Sequence, residues 1–123
     1  MARYPGLTLR VLAGDVPAMG PGKARLVRRI DSTGSISAAA REMGMSYRRA
    51  WQLVEAINAS FKEPVVVTAV GGKRGGGAVV TDFGRRMIEA YCDMEAKASA
   101  AIAGDLCEYA AYLRKAAGKT KPR

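Results

Sequence analysis

Apolar and polar positions alternate near the start of this chain. Leu7, Leu9 and Val11 are separated by Thr8 and Arg10, and Leu12 closes the run. A period of two predicts a half-buried strand over residues 7–12. Residues 14–20, which include Gly14, Pro17 and Gly20, read as a loop. Pro21 suits the first position of a helix, where a missing N–H leaves no bond unmade. Leu26, Val27 and Ile30 then form one apolar face opposed by Lys23, Arg25, Arg28 and Arg29, and Gly34 fits the stop. Ser35 or Ser37 can cap a second helix, whose apolar side is Ala38, Ala39, Ala40 and Met43 before Gly44 breaks it. Ser46 can cap a third, from about Tyr47 to Phe61, with Ala50, Leu53, Val54, Ile57 and Phe61 on one side.

The spacing changes after Pro64. Val65, Val66, Val67 and Val70 are β-branched and predict a strand, residues 71–77 are a turn or loop, and Ala78, Val79 and Val80 form the return strand of a hairpin. Thr81 or Asp82 then caps a long helix on which Phe83, Met87, Tyr91, Met94, Ala98 and Ile102 recur every three or four residues. Gly104 is expected to break or kink it, with Asp105 capping a continuation through Leu106, Tyr109 and Leu113. Residues 114–123 read as a basic, disordered tail. Together these elements predict a mainly α fold with a small β-hairpin. A single domain is expected: residues 1–81 carry the three helices and hairpin, and residues 82–113 form a long helix belonging to the same unit.

Charge adds a direction to this pattern. The 123 residues hold 20 Lys and Arg against 11 Asp and Glu, a net charge of +9. Such a surface attracts polyanions, nucleic acid foremost. The excess is uneven: residues 23–74 hold ten bases and four acids, whereas residues 87–113 hold one base, Lys97, and five acids. A membrane-surface helix would need bases on that long apolar segment. No apolar run reaches membrane-spanning length and no signal core is evident, so a cytoplasmic protein is expected. Cys92 and Cys107 lie on one predicted helical stretch, about 22 Å apart by helical rise, and are expected to be reduced.

The absence of histidine excludes histidine catalysis and histidine-containing metal sites, and a thiolate zinc site lacks ligands. Neither cysteine has a nearby base in sequence apart from Lys97. No acid–base or nucleophile set emerges, so an enzyme is not expected and no cofactor or metal is assigned. The glycine segment is not a P-loop, because Lys73 is followed by Arg74 rather than Ser or Thr and a strand follows.

The second and third helices are the chemically informative pair. A helix-turn-helix needs small residues where its helices touch, a turn tolerating positive φ, and apolar contacts beyond it. Ala39 and Ala40, then Gly44, then Met45, Ala50 and Leu53 supply these in order. At ~100° per residue, Arg48, Gln52 and Glu55 point away from the core side, with Arg49 on the flank. Arginine and glutamine carry the forked groups that read guanine and adenine edges in a major groove. Ser37, Ser46 and Tyr47 are candidate DNA contacts at helix starts, Ser46 and Tyr47 suiting phosphate. Lys73 and Arg74 in a glycine turn suit the sugar–phosphate edge. Trp51, beside the core stripe, reads as packing. Met87, Tyr91, Met94, Ala98 and Ile102 have the spacing of a helix that pairs with a second copy, which would set two recognition helices about 34 Å apart or a multiple of that.

The pieces Gly34-Ser35-Ile36-Ser37, Ser46-Tyr47 with Ala50-Trp51, and above all Gly71-Gly72-Lys73-Arg74-Gly75-Gly76-Gly77-Ala78-Val79-Val80-Thr81 carry a family resemblance. Over residues 7–98 the sequence resembles the N-terminal DNA-binding domain of the ModE family of bacterial molybdate-responsive regulators. Arg74 stands where that family often has glycine. The first helices also look like those of LysR-type regulators. The resemblance implies a winged helix-turn-helix that dimerises through its long C-terminal helix, with Ser46, Tyr47, Arg48, Arg49 and Gln52 on the recognition helix and Lys73 and Arg74 on the wing. It further implies a place in molybdate-related gene control. Full-length family members carry C-terminal oxyanion-binding domains, and this sequence stops at Arg123, so molybdate is not an expected partner within it. Double-stranded DNA and a second copy are the expected partners. The competing readings are an oxyanion-responsive regulator acting through a partner or an unrecognised site, and a protein-interaction module derived from the winged domain.

Overall fold

A computed structural model describes residues 6–69 and 77–114. It is mainly helical, with five helices and two small antiparallel hairpins among the described residues. Strands β1 (Val11–Ala13) and β2 (Val16–Met19) form the first hairpin; α1 (Pro21–Thr33), α2 (Ile36–Glu42) and α3 (Tyr47–Ser60) follow. Strands β3 (Val66–Ala69) and β4 (Gly77–Val80) form the second hairpin, and α4 (Asp82–Ala101) and α5 (Ala103–Ala110) end the order.

The N-terminal alternation appears in burial more than in pairing. Leu7, Leu9 and Val11 are half-buried while Thr8, Arg10 and Leu12 are exposed, but β1 covers only Val11–Ala13. The expected loop over residues 14–20 is corrected: its second half is strand β2. Gly14, at φ 67°, and Asp15 are the two-residue turn, with Ala13 opposite Val16 and Leu12 opposite Pro17. Proline is tolerated because both strands of a two-stranded ribbon are edges, so its missing N–H breaks no central ladder.

The three-helix core closes around Leu26, Val27, Ile30, Ile36, Ala39, Ala40, Ala50, Val54 and Ile57, all fully buried or nearly so. Helix α1 packs on α2, α3 and β4. Gly34 at φ 72° ends it, its N–H bonding the Ile30 carbonyl at 2.7 Å. Of Ser35 and Ser37, Ser35 is the cap, its hydroxyl accepting the Ala38 N–H at 3.0 Å. Helix α2 ends with Gly44 at φ 69°, where the Met45 N–H bonds the Ala40 carbonyl and the Gly44 N–H the Arg41 carbonyl. These paired bonds satisfy orphan carbonyls and turn the chain sharply into α3. Among the described residues, none beyond the immediate chain neighbours comes within 4 Å of a Cβ built at Gly34 or Gly44, so glycine serves there for backbone angle rather than space.

The long C-terminal helix is shorter than expected. The break falls at Ile102 (φ −115°, ψ 18°), not at Gly104, which lies inside α5. Asp105 sits in the first turn of α5 rather than capping it, and α5 ends at Ala110. Tyr91 anchors α4 to the N-terminal segment: its hydroxyl donates to the Leu9 carbonyl at 2.6 Å and its ring is buried.

Candidate nucleic-acid interface

Helix α3 is held as a rigid rod by its own N-cap and by the core. The Ser46 hydroxyl accepts the Arg49 N–H at 3.0 Å. Ala50, Val54 and Ile57 bury one side, with Leu53 and Met45 packed half-buried beside it. The opposite side, Arg48, Gln52 and Glu55, is exposed, as are Ser46 and Arg49. The expected outward residues therefore share one free face. Among the described residues no ion pair engages Arg48 or Arg49; the pairs present are Arg29–Glu42, Arg85–Asp31 and Arg85–Asp82. Ser37 is exposed in the first turn of α2.

The β3–β4 hairpin is attached to this helical pair at two places. Asn58, near the end of α3, donates its amide to the Val66 carbonyl at 2.9 Å and accepts the N–H groups of Val65 and Val66 at 2.8 and 3.2 Å. At the α1–α2 corner the Ala78 N–H bonds the Gly34 carbonyl at 3.0 Å, and Ser35 bridges to Gly77. Lys73 and Arg74 lie outside the described residues. Asn58 has no place in the sequence pattern of the site. Its signal was an amide residue inside a helix, where such side chains compete with the backbone and usually have a reason to be there.

Tyr47 and Trp51 occupy the flank of α3 between the buried and free faces. Tyr47 is 51% exposed, and Trp51 is half-buried against the core, in keeping with a packing role. Their rings meet edge to face with centroids 6.5 Å apart, and the indole N–H donates to the Tyr47 hydroxyl.

Along α4 the residues expected at a partner interface separate. Tyr91 is corrected to a core residue of this chain, 2% exposed. Burial, with the Glu95 carboxylate nearby, pushes its phenol well above the ordinary range. Met94 is 44% exposed, whereas Met87, Ala98 and Ile102 are half-buried. Helix α5 buries no residue, and Tyr109, Tyr112 and Leu113 are largely exposed. Two links here were invisible in sequence. Arg85 bonds the Asp31 carboxylate, which raises the guanidinium pKa further. Arg28 donates to the Cys92 sulfur at 2.7 Å, placing a base beside that thiol across 64 positions of sequence. Among the described residues no group of three or more His, Cys, Asp or Glu is placed to hold a metal, and no helix is long and apolar enough to cross a membrane.

A mainly helical, basic chain whose exposed helix face bears Arg48, Arg49 and Gln52 beside a β-hairpin is the class these features define. Its relatives are bacterial molybdenum proteins and transcriptional regulators. The chain is 53% identical over 78 residues to the molybdenum-pterin-binding protein MopB of Rhodobacter capsulatus, covering 63% of this chain and 29% of that protein. It is 36% identical over 85 residues to the molybdenum transport protein ModE of Azotobacter vinelandii, covering 69% and 32%. It is 41% identical over 71 residues to the DNA-binding transcriptional dual regulator ModE of Escherichia coli K12, covering 58% and 27%. These similarities support kinship with the ModE and Mop proteins. The chain spans about three-tenths of the length of the curated relatives it matches. No protein-family model matches it.

Proposed function

We propose that this chain is a sequence-specific DNA-binding transcription regulator that acts as a homodimer. In this reading α2 and α3 form the helix-turn-helix of a winged domain and α3 enters the major groove, where Arg48 and Gln52 read base edges. Ser37, Ser46, Tyr47 and Arg49 meet phosphates, and Lys73 and Arg74, which follow β3 in the sequence, also contact the DNA backbone. The observation that carries the reading is the free face of α3: exposed, fixed by a cap and a buried stripe, and bearing guanidinium groups engaged in no ion pair among the described residues. The net charge of +9 and the name of the Escherichia coli relative support it. Homodimerisation is supported by the apolar surface at Met94, Tyr109, Tyr112 and Leu113.

Fluorescence anisotropy of a labelled duplex, titrated at several salt concentrations, tests the reading. Binding whose logarithm falls linearly with the logarithm of salt is expected, because each phosphate contact releases counterions. An affinity that is absent at low salt removes it. The names of MopB and ModE of Azotobacter vinelandii support a second element, control linked to molybdenum. Molybdate titrated calorimetrically into this chain, with and without duplex, separates oxyanion binding here from control exerted elsewhere.

A further inference from the structure

Trp51 stands four residues after Tyr47, so the two side chains lie on one flank of α3, one turn apart. The indole Nε1–H donates to Tyr47 Oη. An indole nitrogen is a donor only and cannot reverse this bond. The phenol oxygen, having accepted it, turns its own proton elsewhere. Tyr47 is 51% exposed, so a group outside the helix can reach the side chain and accept that proton. A hydroxyl that accepts one hydrogen bond also becomes a stronger donor of the next, since the two polarise each other.

From this geometry we infer that Trp51 is a positioning residue which commits Tyr47 to donate, and that the group it donates to is a DNA phosphate oxygen. The inference rests on the DNA-binding reading above. Phosphate oxygens only accept at neutral pH, so Tyr47 Oη links a donor-only group to an acceptor-only group. Tyr47 is also the first residue of α3 and lies on its flank, beside rather than within the outward row of Arg48, Gln52 and Glu55. When a helix sits in a groove, its flank near the N-terminus is where the backbone passes. Packing alone accounts for the ring of Trp51 but not for the direction of its N–H. Phenylalanine would fill the same flank without setting the hydrogen-bond polarity of Tyr47.

The test is a double-mutant cycle in the full chain, read as affinity for a fluorescein-labelled duplex pool of random sequence at fixed low salt. Trp51→Phe is expected to weaken binding by about two- to tenfold, the worth of one hydrogen bond. Tyr47→Phe should weaken it at least as much. The double variant should bind no more weakly than Tyr47→Phe alone, because Trp51 acts through that hydroxyl. Losses should be equal on random and on selected duplexes if the acceptor is phosphate; a loss confined to selected duplexes overturns the phosphate assignment. Single losses that multiply in the double variant, or a Trp51→Phe protein that binds like wild type, overturn the positioning role. A wild-type chain that binds no duplex overturns the DNA reading and this inference with it.

Spectroscopy gives a second reading independent of variant affinity. Trp51 is the single tryptophan, so the protein has one indole N–H resonance. That resonance is expected to move in Tyr47→Phe and to move again when duplex is added to wild type. A resonance unchanged by Tyr47→Phe means that the bond is absent in solution, and the inference fails.

Discussion

Gly84, in the first turn of α4, lies against the Val65 carbonyl so closely that a Cβ at position 84 would stand 2.4 Å from that oxygen. The contact joins the base of the β3–β4 hairpin to α4. Thr81 completes the joint: its hydroxyl accepts the Gly84 N–H at 2.8 Å and donates to the Pro64 carbonyl at 2.7 Å, while its own N–H bonds Val65 at 2.9 Å. Backbone cannot yield as a flexible side chain does. Gly84→Ala is therefore expected to destabilise the fold by about 3 kcal/mol, the scale of forced overpacking. Thermal unfolding checks this; a melting temperature equal to wild type would mean that α4 is free to shift.

Asn58 is expected to fix the hairpin relative to α3. Removing its side chain leaves the Val66 carbonyl and the Val65 N–H without these partners, at a cost of about 1–3 kcal/mol. Asn58→Ala should lower the unfolding free energy by that amount, and Asn58→Asp, which keeps the acceptor but loses the amide donor, should also destabilise. Denaturant titration of both variants measures the two losses.

Arg48 and Gln52 are exposed, so Arg48→Ala and Gln52→Ala should leave the melting temperature near wild type. Each should relax base preference, by about 1–3 kcal/mol at the affected position. Lys73→Ala should instead weaken all duplexes alike and reduce the salt slope by about one. Competition binding against single-base-substituted duplexes distinguishes the two patterns.

Tyr91 predicts an alkaline limit to stability. Its folded phenol pKa is raised by burial and by Glu95, while the unfolded phenol titrates near 10. Both states are protonated below that value, so the Tyr91 contribution is intact there. As pH rises above about 10 the unfolded state loses its proton first, and stability falls until the folded phenol also titrates. Tyr91→Phe should be less stable at neutral pH through loss of the bond to Leu9, but should show a shallower alkaline decline. Parallel slopes for the two proteins would show that Tyr91 does not set this limit.

Much of the helical framework is legible in sequence because it is enforced locally. Gly34 and Gly44 announce turns of positive φ, Ser35 and Ser46 announce caps, and the spacing of Ala50, Val54 and Ile57 announces the buried side of α3. Strand β2 was obscured by Pro17, although Gly14-Asp15 is the composition of a two-residue hairpin turn. The break at Ile102 has no such marker, since the sequence offers the helix-breaking glycine two positions later. Tyr91 fits the apolar stripe of a partner helix equally well as a core residue, because periodicity records a buried side without naming what buries it. The candidate site is half legible: the exposed residues of α3 follow from the wheel, but Asn58 at the hairpin, Gly84 at Val65 and the Trp51–Tyr47 bond depend on contacts that spacing alone does not assign.

Selection of bound fragments from genomic DNA, followed by sequencing and by titration of the enriched duplex against salt, decides whether this chain is a sequence-specific DNA-binding dimer. A dimeric reader of DNA should enrich a two-fold symmetric motif whose half-sites lie about one helical turn apart or a multiple of that, with affinity falling steeply as salt rises. A pool that emerges without any enriched motif, bound no more tightly at low salt than at high salt, would contradict it.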